Sequence, residues 1–342
     1  MVTIKDVARD AGVSVGTVSN VLNGGRVSEA RRKLVEASIE KLGYQVNTLA
    51  KGMRMQKTDY VVVILPNLIN PYFALLLDAL ESELSAVGKQ VLLCLSGDDA
   101  EREVAFMDMA KQNKVDGIIG VTYSKVEEER IENMAFVSID RHYKSHIPCV
   151  AGDNWQGGWL AAENLHKRGS TNLLCFMTMS SVDSEVRKRR VGFTEYCMEH
   201  DLSCNSVEMS EKQIVSVYES YGSRKLIHNM LRAYISPSMG EHSIDGIFTS
   251  SDHLATIVQE ELEEMGKRVP EDIQIIGYDG LQFLNQRKPI VSSIAQPVHE
   301  IAKEAVRCLN ELIANGKTEG NTKIPVSFQE GPTTKTLVTE EK

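Results

Sequence analysis

Gly12 to Gly16 read Gly-Val-Ser-Val-Gly, which satisfies G-x-S-x-G, the turn that presents a nucleophilic serine in many hydrolases. That chemistry needs a buried strand ahead of Ser14, because a sharp strand-to-helix turn projects the hydroxyl. What precedes it is TIKDVARDA, whose apolar residues Ile4, Val7, Ala8 and Ala11 recur at i, i+3, i+4 and i+7, one face of a helix. Ser14 is then expected to cap a second helix, with Gly12 supplying the tight turn before it. Other chemistry-bearing residues collect where apolar runs end. Asn70, Tyr72 and Phe73 follow VVVILPN, Asp140 and Arg141 close FVSIDR, and Ser251 and Asp252 close IFTSSD. Asp279 closes IIGYDG, and Gln296 closes SSIAQP. Carboxylates and guanidinium groups can take paired bonds from adjacent sugar hydroxyls, and aromatic faces can cover a sugar ring. Asp and Asn also end strands simply because they make turns and caps.

Those residues call for elements to position them. From Tyr60 onward, apolar runs such as YVVVIL, QVLLCL, GIIGVTY, NLLCFMT and QIIGYD alternate with helical stretches. This alternation predicts parallel sheets covered on both faces, and two such series predict two lobes. In open α/β sheets ligands lie beyond the carboxyl ends of the strands, where these polar residues fall.

With 342 residues, 42% hydrophobic and 25% charged, the chain has material for two or three compact units. Its longest apolar runs are too short to cross a bilayer, and no signal peptide opens the sequence, so a cytoplasmic protein without membrane contact is expected. Net charge is −9, yet residues 1–58 carry ten Lys/Arg against five Asp/Glu, leaving −14 on the remainder. A basic head on an acidic body is the asymmetry expected when only the head meets a polyanion. The six cysteines lack a C-x-x-C pair, the eight histidines show no H-E-x-x-H spacing, and no P-loop or G-x-G-x-x-G follows a strand. No metal, no cofactor and no disulfide is expected. Paired acids can serve a glycosidase, but their attachment to a basic head favours a binding protein over an enzyme.

In the head, Thr3 or Asp6 can open the first helix, Ser14 the second (VGTVSNVLN) and Ser28 the third (EARRKLVEASIEKLG). Leu34, Val35, Ser38, Ile39 and Leu42 make the third helix's expected buried stripe. Three short helices with a glycine turn between the first two form a helix-turn-helix. Here the chain closely resembles the LacI/GalR family of bacterial transcription regulators, through TIKDVARDAGVSVGTVSNVLNG and VSEARRKLVEASIEKLGYQVN. The resemblance implies that the second helix enters the major groove of operator DNA. Val15, Gly16 and Asn20 would face base edges, where Asn can pair with adenine and Val can only touch a thymine methyl. Ser14, Thr17, Ser19, Asn23 and Arg26, with Lys5, fall to the backbone side of the interface.

The segment Tyr44 to Thr58 joins head to body, and Asn47 can cap a helix of about two turns there. Isolated helices this short are marginal in water. The resemblance implies that two such hinge helices pair across a homodimer on DNA. Met53 would stand where the family wedges a leucine into the minor groove, flanked by Lys51 and Arg54.

Taken together the expected architecture is α/β: a three-helix head (1–46), a hinge (47–58) and a two-lobed body (59–338) of the periplasmic-binding-protein type I. The first lobe is placed at about 59–154 and 292–322 and the second at about 155–291 and 323–338, with crossovers near Asn154, Val291 and Lys323. The family's sugar contacts, carried over by position, fall on Asn70, Tyr72, Phe73, Asp140, Arg141, Arg187, Ser251, Asp279 and Gln296, with Tyr218 as an aromatic wall. Ser251 departs from the family's frequent Asn. The resemblance implies a homodimeric repressor whose operator affinity a sugar-like effector controls. Some members answer instead to a phosphorylated carrier protein or a corepressor, which leaves the sign of the response open.

Overall fold

The computed structural model describes residues 2–22, 24–44, 58–97, 99–124, 131, 134–143, 147–179, 182–235, 243–282 and 289–337. Asn23 and the expected hinge residues Asn47, Lys51, Met53 and Arg54 lie outside the described residues. The chain divides into two units, residues 1–58 and 59–342.

In the first unit, α1 (Ile4–Asp10), α2 (Val15–Leu22) and α3 (Glu29–Leu42) enclose Val7, Ala8, Val18, Val21 and Val35. Fully burying each valine contributes about 1.5–3 kcal/mol, so three short helices that are individually marginal hold one another. Thr3 occupies the cap of α1, and the Asp6 carboxylate accepts from its N–H at 3.0 Å and its hydroxyl at 2.6 Å. Gly12, at φ 62°, turns the chain, and Ser14 Oγ accepts from the Thr17 N–H at 3.1 Å. The G-x-S-x-G serine is therefore the cap of α2. On α3 the inward residues begin at Val35, and Leu34 is 55% exposed, outside the stripe expected for it. One helical step turns it about 100° away from the packed face.

The second unit holds two six-stranded sheets. The first comprises β1 (Tyr60–Leu65), β2 (Gln90–Leu95), β3 (Gly117–Gly120), β4 (Phe136–Ile139), β5 (Cys149–Gly152) and β11 (Thr322–Ile324), in the order β11-β5-β4-β3-β1-β2, all parallel. The second comprises β6 (Asn172–Met179), β7 (Ser203–Ser210), β8 (Gly246–Thr249), β9 (Gln274–Asp279), β10 (Ser292–Ala295) and β12 (Ser327–Gln329), in the order β12-β10-β9-β8-β6-β7, with β12 antiparallel to β10.

Strand alternation assigns the helices to faces. Val61, Val63 and Leu65 of β1 pack with α4 (Pro71–Ala86) and α11 (Val298–Asn315), while Val62 and Ile64 meet α5 (Ala100–Gln112). On β6, Leu173, Cys175 and Met177 face α6 (Asn154–Lys167) and α7 (Arg187–Glu199). Leu174 and Phe176 face α8 (Glu211–Glu219), α9 (Lys225–Ile235) and α10 (Asp252–Glu264).

The three crossovers fall at Asp153, at Gln296–Pro297 and at Pro325–Val326. The second lies some five residues beyond the expected position near Val291, because β10 belongs to the second sheet. Its sequence VSSIA looks like a linker, yet both serines are fully buried. Ser292 Oγ lies 2.6 Å from Thr334 Oγ1, and Ser293 Oγ accepts from the Gly280 N–H at 2.9 Å. Similarly Lys323 sits on β11 in the first sheet, so the third crossover follows it.

Candidate functional site

The strand order switches direction between β1 and β3 in one sheet and between β6 and β8 in the other, which opens a crevice at the carboxyl ends of both. A cavity of about 120 Å³ occupies it. The first lobe contributes Asn70, Tyr72, Phe73, Tyr123 and Asp140, the second Thr178, Ser184, Arg189, Tyr218, Ser250, Ser251 and Asp279, and the crossover Gln296.

Local conformation aims the two carboxylates. Asp140 has φ 61° and Asp279 has φ 125°, a region that L-residues other than Asn and Asp rarely adopt. Gln296 Nε2 donates to Asp279 Oδ1 at 2.9 Å, and Asn70 Nδ2 reaches Asp279 Oδ2 from the other lobe at 3.5 Å. Asn154 Nδ2 reaches Asp140 Oδ1 at 3.5 Å. Burial is the main influence on both acids: it lifts Asp140 to about 6 and Asp279 to about 7, against the pull of the Arg189 guanidinium. Behind Asp279, burial and that neighbouring carboxylate push Asp252 well above the usual carboxylate range.

Arg189 is placed by close helix packing. Gly158 of α6 and Gly192 of α7 let the two backbones touch: a Cβ on Gly158 would stand 1.8 Å from the Arg189 carbonyl oxygen, and one on Gly192 2.0 Å from that of Trp155. Held there, Arg189 Nε donates to Asn154 Oδ1 at 2.6 Å and Nη1 to the Ser250 carbonyl at 2.7 Å. Its guanidinium carbon lies 3.5 Å from the Tyr278 ring centroid.

The walls are mixed. Tyr72 and Phe73 meet edge to face at 5.6 Å, and Tyr218 stacks on His253 at 4.0 Å with its hydroxyl 3.1 Å from Ser251 Oγ. Tyr72 Oη, Ser184 Oγ and Gln296 Oε1 are buried without a hydrogen-bond partner. Buried polar atoms are nearly always paired, so three orphans on one cavity point to a ligand that supplies the partners.

On the head, Gly16 and Asn20 share one face of α2, as do Val15 and Ser19, each pair one turn apart. Lys5, Ser14, Gly16, Asn20 and Arg26 are exposed, while Val15, Thr17 and Ser19 are half-buried. Val15 packs partly on the head core, so it offers only part of its side chain outward.

Comparison with known proteins accords with both units. Residues 3–47 match the model of bacterial regulatory proteins of the lacI family, and residues 162–334 match a periplasmic binding protein-like domain. A sucrose operon repressor of Pediococcus pentosaceus is 32% identical over 332 residues, 96% of this chain and 98% of that protein. The chain belongs to the LacI family.

A ribose operon repressor of Halalkalibacterium halodurans is 32% identical to this LacI-family chain over 90% of its length and 89% of that protein's. A periplasmic binding protein/LacI transcriptional regulator of Alkaliphilus metalliredigens, solved with D-xylulofuranose, is 26% identical, with a TM-score of 0.68 over 81% of this chain and all of that one. The lac repressor dimer bound to operator and the anti-inducer ONPF shares the fold, with a TM-score of 0.78 at 22% identity over 97% of this chain and 98% of that one.

Of the effector contacts expected in this LacI-family chain, Asn70, Tyr72, Phe73, Asp140, Tyr218, Ser251, Asp279 and Gln296 line the cavity. Arg187 and Arg141 do not. Arg187 is the exposed first residue of α7, whose inward stripe is Arg189, Gly192, Phe193 and Tyr196. Arg141 folds back into its own lobe, donating from Nη1 to the Ser124 carbonyl at 2.6 Å and stacking on Tyr143 at 4.3 Å. The sequence reading missed Arg189, Tyr123, Thr178, Ser184 and Ser250. Thr178 is the penultimate residue of β6 and Tyr123 follows β3, so the strand-end rule applied to NLLCFMT and GIIGVTY would have found both.

Proposed function

We propose that this protein is a transcriptional repressor in which a small polyol, a sugar or close derivative, occupies the inter-lobe cavity and lowers operator affinity. Two heads of a homodimer then bind a pseudo-palindromic operator, since protein symmetry is mirrored in half-site symmetry. Val15, Gly16 and Asn20 face base edges, while Lys5, Ser14, Thr17, Ser19 and Arg26 serve the phosphates. The observation that carries the reading is the cavity itself. Two carboxylates and three unpartnered polar atoms converge there, an acceptor-rich array suited to several hydroxyl donors, with aromatic rings for the sugar's apolar face. The naming of relatives as sucrose and ribose operon repressors supports the same class. No helix among the described residues is long and apolar enough to cross a membrane, in keeping with action on DNA in the cytoplasm.

The test is a gel shift of the full chain on DNA flanking its own gene, at low salt, with and without a panel of sugars. Retarded DNA that one sugar releases supports the proposal. Protein that ignores such DNA at every salt concentration refutes it, and a sugar that tightens the complex would make the ligand a corepressor.

A further inference from the structure

Resting on the reading of the cavity as the effector site, we infer that its ligand is an uncharged polyol and that sugars bearing a phosphate or carboxylate are turned away. Phosphate sites draw on cationic side chains with free donors and on uncapped N–H groups at helix N-termini. This cavity is poor in both. Among its described lining residues the single cation is Arg189, whose Nε and Nη1 are bonded to Asn154 and Ser250, whose face is against Tyr278, and whose charge is already opposed by Asp140 and Asp279.

The acids outnumber it. Asp140 and Asp279 line the space. Asp252 stands behind Asp279, with its Oδ2 engaged by the Leu281 N–H at 2.7 Å. Behind Asp140 stands Glu185, whose N–H donates to the Asp140 carbonyl at 2.8 Å. The Glu185 carboxylate is held by His142 and by the cations Lys188 and Lys323, none of which lines the cavity.

Of the helix ends at the cavity, α7 lacks a side-chain cap, but its Arg187, Lys188 and Arg189 N–H groups donate to the Ser184, Glu185 and Val186 carbonyls, and those of α4 and α10 are closed by their own side chains. At the start of α4, Pro71 has no N–H, Asn70 Oδ1 takes the Tyr72 N–H at 3.1 Å, and the Asn70 carbonyl takes that of Phe73 at 3.1 Å. At the start of α10, Ser251 Oγ takes the Leu254 N–H at 3.1 Å. Beside the Asp140 and Asp279 carboxylates, the buried lining atoms left without a partner are the Gln296 carbonyl oxygen and the hydroxyls of Tyr72 and Ser184. That set complements hydroxyl groups, and it repels an anion.

The experiment is calorimetric titration of the full chain with D-ribose, D-fructose and D-glucose, each beside its terminal phosphate, and with D-gluconate. At least one neutral sugar is expected to bind, with its phosphate at least about 100-fold weaker, as like charges about 5 Å apart in a protein interior require. Val215→Lys, which adds a cation to the wall, is expected to narrow that gap. A phosphate binding as tightly as its neutral parent overturns this inference and leaves the effector site standing. Silence from every neutral and phosphorylated sugar overturns the effector reading itself.

Discussion

Asp279→Asn separates what the cavity costs the empty protein from what it gives the ligand. A carboxyl at 3.8 in the unfolded chain and at about 7 in the folded one keeps more protons when folded. Stability therefore falls as pH climbs through that window, and the loss is complete above about 7. At 1.36 kcal/mol for each tenfold change, ionised Asp279 costs the folded state about 4 kcal/mol. Asparagine tolerates the positive φ at this position and cannot ionise. At pH 5 the folded carboxyl is neutral but the unfolded one is already ionised, so about 1.6 kcal/mol of that loss has occurred and the variant should lead only slightly. By pH 8.5 its lead should be at its largest. The ceiling is about 4 kcal/mol, and the gain is smaller because Arg189 loses one of its two facing carboxylates. For a unit of this size, about 2 °C per kcal/mol gives a gain of up to about 8 °C. Differential scanning calorimetry of both proteins from pH 5 to 9 reads it. Sugar binding should be lost in the variant, since an amide offers one acceptor where the carboxylate offered two. A melting difference that does not change with pH would refute the reasoning, as would a variant less stable than the parent at pH 8.5.

Gly158→Ala sets a Cβ 1.8 Å from a backbone oxygen and should force α6 from α7, lowering stability by about 1–3 kcal/mol; Gly320→Ala, which meets nothing within 4 Å, should leave the melting temperature unchanged. Arg189→Met removes the countercharge that holds Asp140 and Asp279 down, so sugar affinity should fall at pH 8 and be regained in part as pH rises and both acids ionise, as titration calorimetry would report. Ser14→Ala should cost α2 about 1 kcal/mol of cap stability, visible as faster amide exchange in that helix, whereas Ser14→Asp should keep the cap and weaken DNA binding through repulsion of phosphate. Asn20→Ala should lose about 1–3 kcal/mol of discrimination at one base pair, while Lys5→Ala should weaken all DNA sequences alike and flatten the salt dependence.

Strand ends were legible because β-strands here are apolar words with polar stops: YVVVIL, GIIG, FVSI and QIIGYD each name a strand, and the next polar residues fall in the crevice. Arg189 was not legible in that way. It stands in RKRR, three arginines and a lysine that charge does not tell apart, and only helical phase relative to Gly192 and Phe193 sets it inward. The meaning of WQGGW was hidden for a related reason, since a glycine pair signals close approach only when the approaching backbone, here that of α7, is known. Ser292 and Ser293 misled because burial of hydroxyls depends on partners as distant as Thr334 and Gly280, which no local pattern contains. Leu34 misled in the opposite sense: periodicity allowed it in the stripe, but a head of three short helices has room for a narrower one.

A ligand shifts an equilibrium only by the difference in its affinity for the two states, so the proposed effector must feel the disposition of the lobes. The contacts that join them are unequal. At one edge the lobes are stitched by backbone: Glu185 N–H to the Asp140 carbonyl at 2.8 Å and a β-bridge between Arg141 and Ser184. Across the cavity they meet through Asn70 Nδ2 and Asp279 Oδ2 at 3.5 Å, the limit of a hydrogen bond. A polyol hydroxyl on Asp279 with another on Asn70 or Tyr72 would replace that weak contact with charge-assisted ones, while the backbone stitch, whose N–H and carbonyl groups bond each other and not the ligand, serves as the pivot. Hydrogen bonds to charged groups contribute about 1.5–3 kcal/mol, and typical couplings between sites are about 1–3 kcal/mol. One such bond, made in a single disposition of the lobes, is thus enough to weaken operator binding 5- to 150-fold or so, and no rearrangement of either sheet is required.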